Sequence, residues 1–348
     1  MNWINDCIGQ YRDLQRSIIT ELVLIKLLSS INLKDVNKAN NYRINHVEGP
    51  QHLICFNKNW HKDLVIQIIS SAINLKCACA NTHGKQLNVL PNTKVIVFED
   101  HNEPILRMAV SKAASFLGAT DVHITGKMLW NNDYNGRIFS ELADVIFVST
   151  QVFECVRRFA RCSTIPVVSL RCRRHATLQS LATLMSIMED YGSMESFNLA
   201  YIGAPHPIVN DYLMLSTMFN INFNFKCCCK KIGVSPLLLE DCKEKCKKNN
   251  TKITTKQTCN TDEALKNSDV IIAGPTPSKE KISEFQLSTD VINKHAKPCW
   301  TFYHTFPRGP EVDDNLFWHS NTRTFNAFKN TQYIAAAIMA HVVRGYTF

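Results

Sequence analysis

The part of the chain that decides its fold is residues 300–314, which read WTFYHTFPRGPEVDD. A run rich in aromatic residues ends at His304, and a turn containing proline and glycine follows before an acidic segment. Aromatic residues favour strands, whereas proline and glycine interrupt them. The stretch therefore predicts a strand at 300–304 with a turn directly after it.

Similar β-rich runs recur toward the amino terminus, and helical stretches separate them. We predict these further strands at residues 95–99, 121–125, 145–149, 167–170, 199–203, 222–227 and 270–273. Strands that alternate with helices are typical of parallel sheets built from βαβ units. Because one set of strands lies before the middle of the chain and a second set after it, we predict an α/β fold with two doubly wound parallel-sheet domains.

A helix at residues 178–191 is predicted between the two sets of strands. Leu178, Leu181, Met185 and Met188 recur at helical spacing, and Gly192 supplies the stop. We interpret this segment as a bridging helix between the domains. Further helices are predicted at residues 207–219, 236–248 and 331–343. The predicted organisation is an extension at 1–48, a first domain at 49–178, a second domain at 179–328 and a returning helix at 329–348.

Composition indicates a soluble globular protein. The chain has 348 residues, of which 45% are hydrophobic and 20% charged, and its formal charge is +9. Such a charge suits nucleic acid, an anionic membrane or an anionic metabolite, and it does not choose among them. Neither a nucleic-acid partner nor a membrane partner is expected. We interpret as solvated surface the lysine-dense run at 242–258 and two arginine clusters, which are Arg157, Arg158 and Arg161, and Arg171, Arg173 and Arg174.

The 14 cysteines are irregularly spaced, which favours reduced thiols over a disulfide framework. The consecutive cysteines at 227–229 would point to alternate faces of a strand, and no paired Cys-x-x-Cys element follows them. No metal site is therefore predicted. Near the amino terminus, Glu21 and Lys26 interrupt an apolar run well short of a membrane span.

The amino-terminal segment contains Arg12 and Arg16, but Asp6, Asp13 and Glu21 are unlike the acid-poor composition of a mitochondrial leader. We expect an ordinary extra helix there, with a functional transit peptide as the alternative. The expected location is intracellular, either cytoplasmic or mitochondrial.

The stretch at 300–314 resembles the segment of ornithine carbamoyltransferases in which His-Cys-Leu-Pro precedes an acidic turn. The resemblance continues through roughly residues 50–345, with anchors at Phe98-Glu99, Leu117-Gly118, Ala143-Asp144-Val145, Glu189-Asp190-Tyr191 and Tyr201-Ile202-Gly203. It implies a carbamoyl phosphate domain, an ornithine domain, a last helix that returns to the first domain, and a homo-oligomer, usually a trimer. It also implies direct attack of the ornithine amine on the carbamoyl carbon, with no metal and no organic cofactor.

The family's phosphate-binding sequence, Ser-Thr-Arg-Thr-Arg at a helix start, is missing from this chain. The corresponding window reads Asn102, Glu103, Pro104, Ile105 and Leu106. Glu103 brings negative charge to the position of a dianion, and Pro104 has no N–H to donate. Arg107 lies one place too far along, although a local shift that lets it serve remains an alternative.

The positions for the carbamoyl group have also changed. The family motif His-Pro-x-Gln keeps its last member as Gln179, but Ala176 stands at the histidine and Thr177 at the proline. His175 is adjacent, and we expect it at the surface or as a capping residue, with a shifted functional role as the alternative. Ser149 stands where the family has an arginine.

In the second domain, Pro207 stands at the asparagine that should meet ornithine, and Gly274 stands at the aspartate that should pair with its amine. Thr305 replaces the cysteine of the last motif, whereas His304 and Arg308 persist. The remaining candidates for catalysis are His304, Gln179, Thr305 and Arg308, and those for residual substrate binding are Gln179 and Ser278.

We predict a protein that keeps the carbamoyltransferase fold, has lost carbamoyl transfer, and acts as a binding or structural protein. Binding of a small-molecule substrate is not expected. The alternative is an active carbamoyltransferase that uses rearranged residues such as His175 and Arg107.

Overall fold

The computed structural model describes residues 49–81, 86–126, 134–227, 234–248, 250–276 and 282–348. The predicted extension at 1–48 and the candidate residue Ser278 lie outside these residues, as do two of the three consecutive cysteines, Cys228 and Cys229. Residues Pro50–Phe348 form one compact unit.

The first sheet holds four parallel strands in the order β2-β1-β3-β4. Its elements are α1 (Lys62–Asn81), β1 (Lys94–Glu99), α2 (Pro104–Leu117), β2 (Thr120–Thr125), α3 (Asn135–Ser140), β3 (Val145–Ser149), α4 (Phe153–Cys162) and β4 (Val167–Arg171). Strand β3, one of the two central strands, is buried along its whole length, as expected where helices cover both faces of a parallel sheet.

The second sheet holds five parallel strands in the order β7-β6-β5-β8-β9. Its elements are β5 (Asn198–Ile202), α6 (Pro207–Phe219), β6 (Asn222–Lys226), α7 (Pro236–Lys248), β7 (Thr255–Gln257), α8 (Thr261–Leu265), β8 (Val270–Ala273), α9 (Ile282–Phe285), α10 (Thr289–His295), β9 (Thr301–His304) and α11 (Asp314–Phe317). The decisive stretch thus forms β9, which begins at Thr301 directly after the buried Trp300.

A buried helix, α5 (Thr177–Tyr191), connects the two sheets and ends at Gly192 in the left-handed conformation, with φ of 68°. The last helix, α12 (Thr324–Arg344), packs against α1, α2 and α5. The predicted α/β fold with two doubly wound parallel sheets and a connecting helix is confirmed.

Two predictions were incomplete. Strand β7 was not predicted, because its sequence Thr-Lys-Gln is short, polar and largely exposed. Helix α12 begins seven residues before the predicted start at 331, since the added turns bury only Thr324, Ala327 and Asn330. Helix α1 is long and apolar enough to cross a membrane by composition, but it buries residues such as Leu64, Ile68 and Leu75 within the protein core.

Candidate functional site

The candidate site lies at the carboxyl ends of the strands where the strand order reverses. In the first sheet the order reverses between β1 and β3, and in the second between β5 and β8. Open parallel sheets bind ligands at such points, because the loops on either side diverge and leave a crevice. The residues that follow these four strands are therefore the ones to compare with the predicted site.

Glu103 immediately precedes Pro104, the first residue of α2, and its carboxylate does not cap the helix. Instead, Glu103 Oε1 lies 3.0 Å from Arg171 Nη1 and 3.1 Å from His101 Nε2. Arg171 ends β4, so the first sheet itself brings this cation to the start of α2. The sequence predicted the negative charge of Glu103 but not its pairing with Arg171 and His101. The interpretation of Arg171 as solvated surface was wrong, because this side chain is paired inside the protein.

Arg107 is also paired within the protein. Its Nη1 atom lies 3.0 Å from Oε2 of Glu99, a carboxylate at the end of β1 with 1% of its side chain exposed. Burial raises the pKa of Glu99, while the positive charge of Arg107 acts to lower it. Arg107 therefore offsets the charge of a buried acid, which opposes the predicted alternative in which it binds substrate phosphate.

The end of β3 adds no cation to this crevice. Ser149 is fully buried, and its hydroxyl forms no hydrogen bond with any described residue. The next residue, Thr150, donates its hydroxyl to the carboxylate of Asp100, which also accepts from the backbone N–H of Gln151 at 3.2 Å. The Asp100 carboxylate is therefore engaged by Thr150 and Gln151.

Residues at the start of α5 take structural roles. The Ala176 N–H donates to Asp211 Oδ2 at 2.7 Å, and Nδ1 of His175 lies 2.7 Å from Asp211 Oδ1. The expectation of a surface or capping role for His175 was wrong, because it is completely buried. Gln179 donates to the backbone carbonyl of Thr305 at 3.3 Å and so spans from α5 to the end of β9.

The aromatic side chain of Tyr201 occupies the space beside Gly274. A Cβ atom at Gly274 would lie 2.0 Å from the Tyr201 hydroxyl oxygen, which donates to the carbonyl of Ala204 at 2.6 Å. Gly203, with φ of 155°, also approaches Gly274 so closely that its own Cβ would lie 2.6 Å from the Gly274 Cα. An aspartate could not replace Gly274 without movement of the surrounding residues.

Pro207 is the first residue of α6, and His206 caps that helix by accepting from the Ile208 N–H at 3.2 Å. Burial, the positive charge of Arg171 and His304 together lower the pKa of His206 to about 3. His206 is therefore neutral at physiological pH. Its Nε2 atom lies 3.5 Å from Arg171 Nη2, so the structure brings cationic and imidazole groups of both sheets together.

The retained residues after β9 contact one another. The buried His304 ring lies with Nε2 3.0 Å from Glu311 Oε1, while its Nδ1 accepts from the Phe306 N–H at 3.0 Å. Arg308 donates to the Val312 carbonyl at 2.9 Å and packs over the Phe317 ring at 4.4 Å. These contacts hold the turn together. The Thr305 hydroxyl is buried and bonds to none of the described residues.

Comparison with known proteins shows what the chain is similar to. A model of the aspartate/ornithine carbamoyltransferase Asp/Orn-binding domain matches residues 195–342. The mitochondrial ornithine carbamoyltransferase of Schizosaccharomyces pombe is 22% identical over 313 residues, which are 83% of this chain and 93% of that protein. These matches indicate an ornithine carbamoyltransferase-family protein that is divergent in sequence.

Solved structures show that the fold is also similar. The ornithine carbamoyltransferase of Pyrococcus furiosus matches with a TM-score of 0.77 at 18% identity, covering 86% of this chain and 99% of that one. The ornithine transcarbamoylase of Giardia lamblia also gives 0.77, at 16% identity, covering 86% and 100%. The chain thus differs strongly from these proteins in sequence while its fold is similar to theirs.

The contact at Gly274 gives a stability prediction. Gly274→Ala should lower the free energy of unfolding by about 1–3 kcal/mol, because the added methyl group overlaps the Tyr201 hydroxyl. In a Tyr201→Phe background the same change should cost less than about half as much, since the nearest overlapping atom is gone. Urea unfolding of the four proteins in this double-mutant cycle measures the difference.

Gly49→Ala is the matched control, because a Cβ there meets nothing within 4 Å. It should change the free energy of unfolding by less than about 0.5 kcal/mol. Equal costs for Gly274→Ala in both backgrounds would show that Tyr201 does not fill this space.

Proposed function

We propose that this protein is a divergent member of the ornithine carbamoyltransferase family that retains the fold as a binding or structural protein and has lost carbamoyl transfer. The observation that carries the proposal is the pairing of Glu103 with Arg171 and His101 at the start of α2. Carbamoyl phosphate would have to displace a carboxylate of the protein to reach these groups. A charge-assisted hydrogen bond contributes about 1.5–3 kcal/mol, so this competition is costly.

The predicted ornithine side supports the same proposal. An amino-acid substrate needs a carboxylate near its amine, but Gly274 has no side chain and Tyr201 fills the adjacent space. Pro207 offers neither a side-chain amide nor a backbone N–H. The carbamoyl phosphate side would therefore lack an available cation, and the ornithine side would lack a negative charge to pair with the amine.

The alternative is transfer of the carbamoyl group from carbamoyl phosphate to ornithine by rearranged residues. It would require His175 and Arg107 to reach substrate. Because His175 is buried against Asp211 and Arg107 pairs with Glu99, both are engaged inside the protein. These contacts favour loss of activity over rearrangement.

We further propose that the protein assembles as a homo-oligomer, with a trimer as the expected form, through its first domain. Ile105, Met108 and Val122 leave 47%, 69% and 59% of their surfaces exposed on the neighbouring elements α2 and β2. Exposed apolar side chains grouped in this way are typical of protein contacts. An intracellular location, cytoplasmic or mitochondrial, belongs to the same proposal.

Citrulline formation tests the proposed loss of activity. With millimolar carbamoyl phosphate and ornithine, the purified chain should produce no more citrulline than a sample without protein. An active ornithine carbamoyltransferase serves as the positive control, and a cooperative thermal transition establishes that the tested chain is folded. Saturable citrulline production by the unmodified chain would contradict the proposal.

Phosphate binding tests the role of Glu103. In calorimetry, Glu103→Gln should bind inorganic phosphate at least about tenfold more tightly than the unmodified chain, because Arg171 and His101 lose their anionic partner. Turnover should remain absent, since the ornithine side is unchanged. Glu154→Gln, which removes an exposed carboxylate paired with Arg157, is the control and should leave phosphate affinity unchanged. No gain for Glu103→Gln over this control would contradict the assignment.

Sedimentation tests the proposed assembly. The unmodified chain should sediment as an oligomer at micromolar concentration, and Met108→Glu should shift it toward the monomer by placing a charge in an apolar contact. Leu237→Glu, at a residue 68% exposed on α7, is the control and should not shift it. A monomer for the unmodified chain would remove the oligomer from the proposal.

A further inference from the structure

A cavity of about 330 Å³ lies between the ends of α1 and α2 and the middle of α12. Cys79 lines it from α1, Lys112 and Phe116 line it from α2, and Tyr333 lines it from α12. Sites for small molecules in proteins begin at about this volume. Because each water molecule in the liquid takes up about 30 Å³, the space corresponds to roughly ten non-hydrogen atoms.

The cavity is separate from the candidate substrate site. Helix α2 begins at that site, where Glu103 and Arg107 form their ion pairs, and the last turn of the same helix lines the cavity. At 1.5 Å per residue, Pro104 and Ser115 lie about 16 Å apart along the helix axis. A molecule in the cavity would therefore not occupy the substrate crevice.

The carbonyl groups in the last turn of α2 are already hydrogen-bonded. The Phe116 carbonyl accepts from the Leu87 N–H at 2.9 Å, and the Leu117 carbonyl accepts from the Leu90 N–H at 2.8 Å. The two preceding carbonyls accept from the N–H groups that follow the helix. A helix end normally presents negative partial charge, but here those N–H groups offset it. Side chains therefore decide which ligand suits this end of α2.

The side chains give the cavity a positive charge. Lys112 is the only charged side chain among the described residues that line it, and its ammonium group forms no hydrogen bond or ion pair with any described residue. Burial raises the pKa of Tyr333 to about 12, so this phenol stays neutral. Glu189 also acts on Tyr333, but its carboxylate pairs with Lys76 at 2.7 Å. An unpaired cation with no competing acid favours an anionic ligand.

The rest of the lining suits a ligand with an apolar body. Ala113 and the ring of Phe116 supply apolar surface, and the ring of Tyr333 adds a second aromatic wall. Gln86 also lines the cavity, and its side chain forms no hydrogen bond with any described residue. A side-chain amide can donate to a carboxylate oxygen, and aromatic rings pack favourably against one another. These groups match in kind a carboxylate attached to an aromatic ring.

We propose that this cavity binds a small aromatic monocarboxylate, with Lys112 in contact with the carboxylate and the ring packed against Phe116. Lys112 is exposed at the open side of the cavity, so its ion pair with the ligand is of moderate strength. It lies one turn after the exposed Met108, on the side of α2 that carries the proposed assembly surface. Ligand binding and assembly would therefore share this helix.

Binding of two matched probes to the full chain tests the ligand class. Phenylacetate should bind with a Kd of about 1 mM or lower in a ligand-observed NMR titration. Phenylacetamide has the same shape without the charge and should bind at least about fivefold more weakly. Lys112→Gln should remove this difference, whereas Lys243→Gln, at an exposed lysine of α7, should preserve it. Absence of phenylacetate binding, equal affinity for both probes, or a difference that survives Lys112→Gln would overturn the proposal.

Alkylation of two neighbouring cysteines tests the location. Cys79 lines the cavity, whereas the exposed Cys77 on the same helix does not. With phenylacetate at about ten times its Kd, alkylation of Cys79 by iodoacetamide should slow at least about threefold, because the bound ligand blocks the reagent. Mass spectrometry should show the rate at Cys77 unchanged. Equal effects at both cysteines, or none at Cys79, would overturn the location. If Cys79 does not react without ligand, the Lys112→Gln titration still decides, and no result depends on carbamoyl transfer.

Discussion

The buried carboxylate of Asp211 joins the two halves of this protein. It lies on α6 of the second sheet and accepts hydrogen bonds from His175, Ala176 and Ser180 at the start of the bridging helix α5. Loss of one partner from a buried charged pair typically costs about 3–5 kcal/mol, because the other charge remains without compensation. These three bonds help to fix the start of α5, which also packs against α12, α1 and α6.

The first sheet applies a related principle at its carboxyl edge. Glu103 pairs with Arg171 and His101, while the buried Glu99 pairs with Arg107. In a site that binds an anionic substrate, the cations must be free to contact that substrate. When no substrate is bound, these positive charges repel one another. Internal carboxylates remove that repulsion. If carbamoyl transfer has been lost, as proposed, this exchange of available cations for internal ion pairs is the expected outcome.

The second sheet reaches the same outcome through packing. Tyr201 fills the space next to Gly274, and its hydroxyl bonds to the Ala204 carbonyl. His206 is buried and neutral, and its Nδ1 accepts the hydrogen bond that caps α6. A single substitution to a family residue would therefore fail to restore the site. At Gly274 the new side chain would overlap Tyr201, and the neighbouring His206 is already bonded to the start of α6. The residues at the changed positions and their neighbours therefore depend on one another physically.

The sequence by itself determined the fold class, the bridging helix and most strands to within about one residue, because buried parallel strands are short apolar runs and Gly192 stops the helix. It missed β7, where the polar Thr255–Gln257 carries no such pattern. It also identified Glu103 and Gly274 as changed positions, since strand and helix anchors fixed their register. Only the tertiary structure showed which residues contact these positions, namely Arg171 and His101 at Glu103 and Tyr201 at Gly274.

The partners lie far along the chain, with Glu103 and Arg171 separated by 68 residues and His175 and Asp211 by 36. Periodicity and motif spacing report local backbone structure, whereas pairing of charges and filling of space depend on how distant elements meet. For that reason the sequence predicted His175 at the surface, whereas in the folded chain it is a buried imidazole bonded to Asp211.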